Sequence, residues 1–224
     1  MPGTFVNKTN LQLTLEWERN ISRAAKHVDM ITKQRAYFNA KKAEAYADRD
    51  KCKSDRCYCY VADYAQNACV PTFNSEQPCE TFFYSPANCY IFGVADASHK
   101  PTKLTAHVYM EFDGKKGGNN VASLLWKQFK LDGLVPQVDP TTQDIIDEDH
   151  VPAKEINLVF DNCGGQNKNR MVLRMLTILV KRKVCMVARA IFLIRGHTKN
   201  DCDRLFNLMK QNCRGSNIYT PQDL

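Results

Sequence analysis

The stretch INLVFDNCGGQNKNRMVLRMLTILVKR, residues 156–182, decides the fold. Residues 156–160 are nearly all large and apolar, the texture of a strand buried on both faces of a sheet. Residues 169–182 are rich in Met, Leu, Ile and Val without Gly or Pro, which reads as a strongly apolar helix. Between them stand Asp161, Asn162 and the pair Gly164-Gly165, which are turn formers. Strand, tight turn and helix in that order make one arm of an α/β unit. A second buried strand, ARAIFLI at 188–194, follows the helix.

Working outward, the chain upstream carries three short aromatic and β-branched runs: CYCYVADYAQ (57–66), CYIFGVADAS (89–98) and LTAHVYMEF (104–112). VASLLWKQFKL (121–131) then has helical spacing through Val121, Leu124, Leu125 and Phe129. Downstream, GHTKNDCDRLFNLMKQN (196–212) begins as a loop and ends as a helix. The order β-β-β-α-β-α-β-α predicts an α/β fold with a mixed sheet and helices on both faces. It is the element order of an RNase-H-like fold. Residues 1–56 form a helical N-terminal extension with a basic outer face, and 57–224 the domain. Within the domain, 132–154 reads as an acidic, proline-containing loop insertion.

Net charge is uneven: +5 over residues 1–56, −6 over 57–160 and +8 over 161–224. Basic ends beside an acidic middle suggest a polyanionic partner, with the middle able to hold cations. No run of 18 apolar residues occurs, so no membrane span is expected. The N-terminus lacks the apolar core of a signal peptide. An intracellular protein is expected, with the nucleus as the compartment that a DNA partner implies. The ten cysteines then default to reduced thiols. Cys52, Cys57 and Cys59 cluster, but no second ligand pair lies nearby to complete a zinc site.

The acids at the element ends carry the functional reading. A two-metal nuclease converges carboxylates on divalent ions held about 3.5–4 Å apart. Hard cations such as Mg²⁺ or Mn²⁺ call for oxygen ligands. An RNase-H-like layout places one acid on the first strand, one at the end of the fourth and one on the last helix. Asp63, Asp161 and Asp203 fall there, with Asp201 a rival for the third place, and Asp96 and Glu111 close the other strands. Each Asp alone is equally suited to capping a helix or turning the chain. His197 follows the fifth strand and suits a water-orienting or acid/base group, or a structural hydrogen bond. The Gly164-Gly165 pair lets backbone N–H groups approach phosphate at a helix start. Gln166, Asn167, Lys168, Asn169 and Arg170 add donors for nucleic acid, as do Lys116 in GKKGGNN (114–120) and Lys199.

YVADYAQN, HVYMEFDGKKGGNNVASLLWKQF, LVFDNCGGQNKNRMVLRML and IFLIRGHTKNDCDRLFNLMK together resemble a transposase-derived mobile-element family, common in oomycetes, with an RNase-H-like domain of unknown function. The resemblance runs from about residue 27 to the C-terminus. It implies that Asp63, Asp161 and Asp203 are the family's acidic motifs and that His197 belongs to its GHT. The expected function is a Mg²⁺- or Mn²⁺-dependent polynucleotidyl transferase or nuclease acting on DNA. One alternative is a truncated, catalytically silent remnant that binds nucleic acid. Another is a cysteine hydrolase built on Cys163, His197 and Asp203, although Asn162 is not preceded by the glycine of a nucleophile elbow.

Overall fold

The computed structural model describes residues 10–142, 145–147, 149–194, 196 and 200–223. Among these described residues the chain is mixed α/β, with a six-stranded mixed sheet and four α-helices. These are α1 (Asn10–Ala47), β1 (Cys57–Tyr64), β2 (Ala68–Val70), β3 (Ala87–Asp96), β4 (Lys103–Met110), α2 (Gly118–Leu131), β5 (Ala153–Phe160), α3 (Arg170–Lys181), β6 (Cys185–Phe192) and α4 (Asp201–Asn212). β1, β5 and β6 are neighbours and parallel. β3 runs antiparallel beside β1, and β4 antiparallel beside β3. The three-residue β2 pairs with the start of β3 after β1 breaks, so it extends the same side of β3 that β1 occupies.

Alternation along the strands explains the layers. Tyr58, Tyr60 and Ala62 of β1 join Ile156, Leu158 and Phe160 of β5 on one face, where Val121, Leu125 and Phe129 of α2 and Val172, Met175 and Leu179 of α3 cover them. Cys59 and Val61 of β1 and Val159 of β5 project to the other face, against Phe38 and Ala45 of α1 and Cys202 and Phe206 of α4. β5 is therefore buried on both faces, as its apolar run requires. Asp63 shares the α1/α4 face with Cys59 and Val61, four and two residues before it.

α1 does more than connect. Its C-terminal half docks on the sheet: Gln34 donates to the Phe192 carbonyl and accepts from the Ile194 N–H (2.8 Å). Lys41 pairs with Glu155 on β5 (2.9 Å), and that buried carboxylate also pairs with Arg189 on β6. Among the described residues of the 132–152 connection, Val138 and Ile145 form a β-bridge, and β5 begins at Ala153.

α4 reaches the sheet because β3 has a glycine beneath it. A Cβ on Gly93 would lie 2.5 Å from the Phe206 ring and 3.0 Å from Leu104. Gly93→Ala is therefore expected to overpack this face and cost about 2 kcal/mol. Chemical denaturation checks this, and Phe206→Leu in the same chain should restore part of the loss.

Candidate metal centre and anion cleft

Asp63 is the penultimate residue of β1 and Asp161 the first residue after β5. The register pairs Val61 with Val159, so continuing both strands by two residues brings Asp63 opposite Asp161 at the carboxyl ends of two adjacent parallel strands. α4 brings the third acid. Asn200 caps it, accepting from the Asp203 N–H (3.1 Å), while the Asp203 carboxylate accepts from the Asn200 N–H (3.1 Å). This reciprocal capping box fixes Asp203 in the first turn. The same Asn200 donates through Nδ2 to Asp63 Oδ2 (3.1 Å), stitching α4 to β1.

The electrostatics reflect this arrangement. Burial, together with the negative charges of Asp161 and Asp203, pushes the Asp63 carboxyl up to about 6, against the opposing hydrogen bonds from Asn200 and the Tyr64 N–H. Asp201, the rival, is drawn away: its carboxylate pairs with Lys42 of α1 at 2.5 Å. Asp161 is not the cap of α3, a role taken by Asn169, which accepts from the Met171 and Val172 N–H groups. Asp161 instead accepts from the Cys163 N–H (3.3 Å) and from the Asn167 amide. The three carboxylates do not close to mutual ligand spacing. Among the described residues, the group of three whose donor atoms all lie within 4.8 Å of one another is Glu44, Asp48 and Cys57.

That second group is a packing device. Lys41 lies 2.8 Å from Glu44 and Lys51 2.6 Å from Asp48, so both carboxylates already have cations. Cys57 Sγ donates to Glu44 (3.2 Å), and burial, then Glu44, pushes its thiol up to about 12. The Cys52–Cys57–Cys59 cluster does not form a site. Cys52 is exposed beside Ser54 and Asp55, and Cys59 lies in the core under α1. All ten cysteines are free thiols.

Two predicted nucleic-acid donors have other work. Asn167 is fully buried and holds Asp161, which removes it from a nucleic-acid surface. Asn169 spends its carboxamide capping α3 and donating to the Gln166 carbonyl (2.9 Å). Lys116 is half withdrawn as well: its ammonium donates to the Ala65 carbonyl (3.0 Å) and lies over the Tyr64 and Tyr90 rings. Burial pulls its pKa down while the charge of Asp63 opposes that shift, so this lysine faces the acid cluster. Gln166 is partly exposed, and Lys168 and Arg170 are exposed. Cys163 sits in the turn after β5. His197 and Lys199 lie outside the described residues.

A cleft of about 640 Å³ is lined by Lys115, Gly117, Gly118, Gly165, Asn169 and Arg170. The N-termini of α2 and α3 both border it. α2 starts on Gly117 with no side-chain cap, so its first N–H groups are unspent. Gly118 is required here, because a Cβ would meet the Asn169 carboxamide at 2.5 Å. The turn that starts at Asp161 ends at this cleft, and the loop that supplies Lys115 also sends Lys116 toward Asp63. The acids and the cleft are thus linked through two short chain segments, 161–165 and 115–116.

Asn200 escaped the sequence reading, although its N-x-x-D spacing to Asp203 is a capping-box pattern. Asn200→Ala is expected to destabilise the protein by about 1 kcal/mol through the lost cap. It should also raise the Asp63 pKa further, since a hydrogen bond to the carboxylate disappears. Thermal melts and the NMR titration of Asp63 measure the two effects.

The fold is thus a mixed α/β domain with carboxylates at the ends of its central parallel strands. Residues 140–224 match the family model described as Domain of unknown function (DUF7869), a span containing Asp161 and Asp203 but not Asp63. Neither a curated protein nor a solved structure matches the chain.

Proposed function

We propose that this domain is an RNase-H-like polynucleotidyl transferase or nuclease core of the transposase-derived kind, acting on DNA with Mg²⁺ or Mn²⁺ held by Asp63, Asp161 and Asp203. The observation that carries the reading is the β1–β5 register, which sets Asp63 beside Asp161, with α4 supplying Asp203. In the order of the RNase-H-like layout, β1 is the first strand, β5 the fourth once the short β2 is set aside, and α4 the last helix.

The donor set suits hard cations, being carboxylate oxygen throughout. Burial first, and the charges of Asp161 and Asp203 after it, raise the Asp63 pKa, and a divalent ion there would favour the ionised carboxylate. When bound, such ions activate a water nucleophile and stabilise the leaving oxygen. The chain's own residues aim the carboxylates: Asn200 orients Asp63 and, through the cap, Asp203, while Asn167 orients Asp161. Arg170, Lys115 and the uncapped start of α2 take the phosphates flanking the scissile bond, because N–H groups and cations converge on the cleft there.

A second reading is a binding module without chemistry, favoured by the carboxylates standing apart while the cleft is open. Nicking of supercoiled DNA in Mg²⁺ or Mn²⁺, alongside binding measured across salt concentrations, separates the two. Divalent-dependent nicking supports the catalytic reading. Salt-sensitive binding without nicking supports the module. Absence of both removes each.

A further inference from the structure

From residue 12 to residue 30 every side chain of α1 is exposed, so this half of the helix projects from the domain by about 28 Å at about 1.5 Å per residue. It is not polar all round. Trp17, Ile21, Ala24, Val28 and Ile31 recur at alternating four- and three-residue steps, the spacing of a coiled-coil seam. Trp17, Ile21 and Val28 are 66%, 48% and 60% exposed. The stripe continues through Arg35 to Phe38 and Ala45, which are buried against the sheet. One seam therefore runs the length of α1, covered by its own domain at one end and bare at the other. Over its bare part, from Trp17 to Ile31, charges keep off the seam itself: Glu16, Arg19, Arg23, Lys26 and Asp29 fall on the opposite faces.

Propensity alone does not hold such a segment. Most helical stability in proteins comes from packing of an apolar face rather than from propensity. This one carries Thr14, Ile21, Val28, Ile31 and Thr32, whose β-branching lowers helix propensity.

We infer that the projecting half of α1 pairs antiparallel with the same segment of a second copy of this chain. The stripe is complementary to itself in that sense. Trp17 of one copy faces Val28 of the other, and Ile21 faces Ala24, so large residues meet smaller ones on both sides of a two-fold axis. Glu18, Asn20, Ala25, His27 and Thr32 flank the seam, and with Trp17 facing Val28 the single acid Glu18 comes opposite His27, so the pairing brings no row of like charges together. A parallel pair would drive both domains into one place, since the seam beyond Ile31 is already taken by each copy's own sheet. The antiparallel arrangement puts the domains at opposite ends. Contact along about 28 Å of helix buries on the order of 1,000 Å², about the minimum of a specific interface. The inference does not depend on the proposed chemistry.

Analytical ultracentrifugation of the full chain tests it, with Ile21→Glu/Val28→Glu as the disrupting variant. The wild type is expected at twice the chain mass and the variant at the chain mass, with the domain's thermal transition retained. Arg23→Glu, on the opposite face, should stay dimeric and shows that an added charge alone is not the cause. A monomeric wild type, or a variant that remains dimeric, overturns the inference.

Discussion

Replacing Asp161 by Asn is expected to lower divalent-dependent DNA nicking by at least about 100-fold, which is about 2.7 kcal/mol of transition-state stabilisation. The substitution keeps shape and can still accept from the Cys163 N–H, so the turn that starts α3 should survive. What it removes is one charge from a group of three, on the strand end where Asp63 and Asp161 stand side by side. A neutral amide oxygen is a weaker ligand for a hard cation than a carboxylate. The thermal melt of the variant should equal or exceed that of the wild type. A drop in nicking without a drop in stability separates a ligand from a scaffold residue, and equal nicking by both proteins removes Asp161 from the chemistry.

Asp63→Asn is expected to stabilise the protein at pH 7.5 by about 2 kcal/mol while abolishing nicking. The folded pKa of Asp63, about 6, lies above the ordinary value of 3.8. Its proton is therefore bound more tightly in the native state. That contribution to stability is full below about pH 4 and is lost as pH rises through about 6. The wild type should lose stability across this window, while the variant, unable to ionise there, should not. Urea denaturation at pH 4.5 and 7.5 reads the difference, which should be small at the lower pH. The substituted carboxamide retains an acceptor for the Asn200 amide, so α4 stays tethered. A variant less stable than the wild type at both pH values would mean that Asp63 is structurally paired rather than held ready for a cation.

The framework was legible where period and length were strong. The run from Ile156 to Phe160, the apolar helix after it and the three upstream strands all stand where their texture put them. Less visible were elements set by pairing. β2 is three residues long and exists because the chain re-pairs with β3 after Tyr64. β6 begins at Cys185, earlier than ARAIFLI suggested, because Lys183 turns the chain with φ 55°. No glycine marks that turn, and a left-handed lysine leaves no trace in a sequence. At the site, the three acids could be placed by element order, but their tethers could not. Asn200 and Asn167 look like ordinary loop amides until the fold brings one to β1 and buries the other beside Asp161. Asp201 and Asp203 could not be ranked without Lys42, which arrives from a helix 159 residues away in sequence.

The most direct measurement is a Mn²⁺ titration of wild-type protein and of Asp63→Asn, Asp161→Asn and Asp201→Asn. A metal site on these acids gives saturable binding by the wild type, at least about 10-fold weaker binding when Asp63 or Asp161 is changed, and binding like the wild type in Asp201→Asn, whose carboxylate belongs to Lys42. Mn²⁺ affinity unchanged in Asp161→Asn, or abolished in Asp201→Asn, would contradict it.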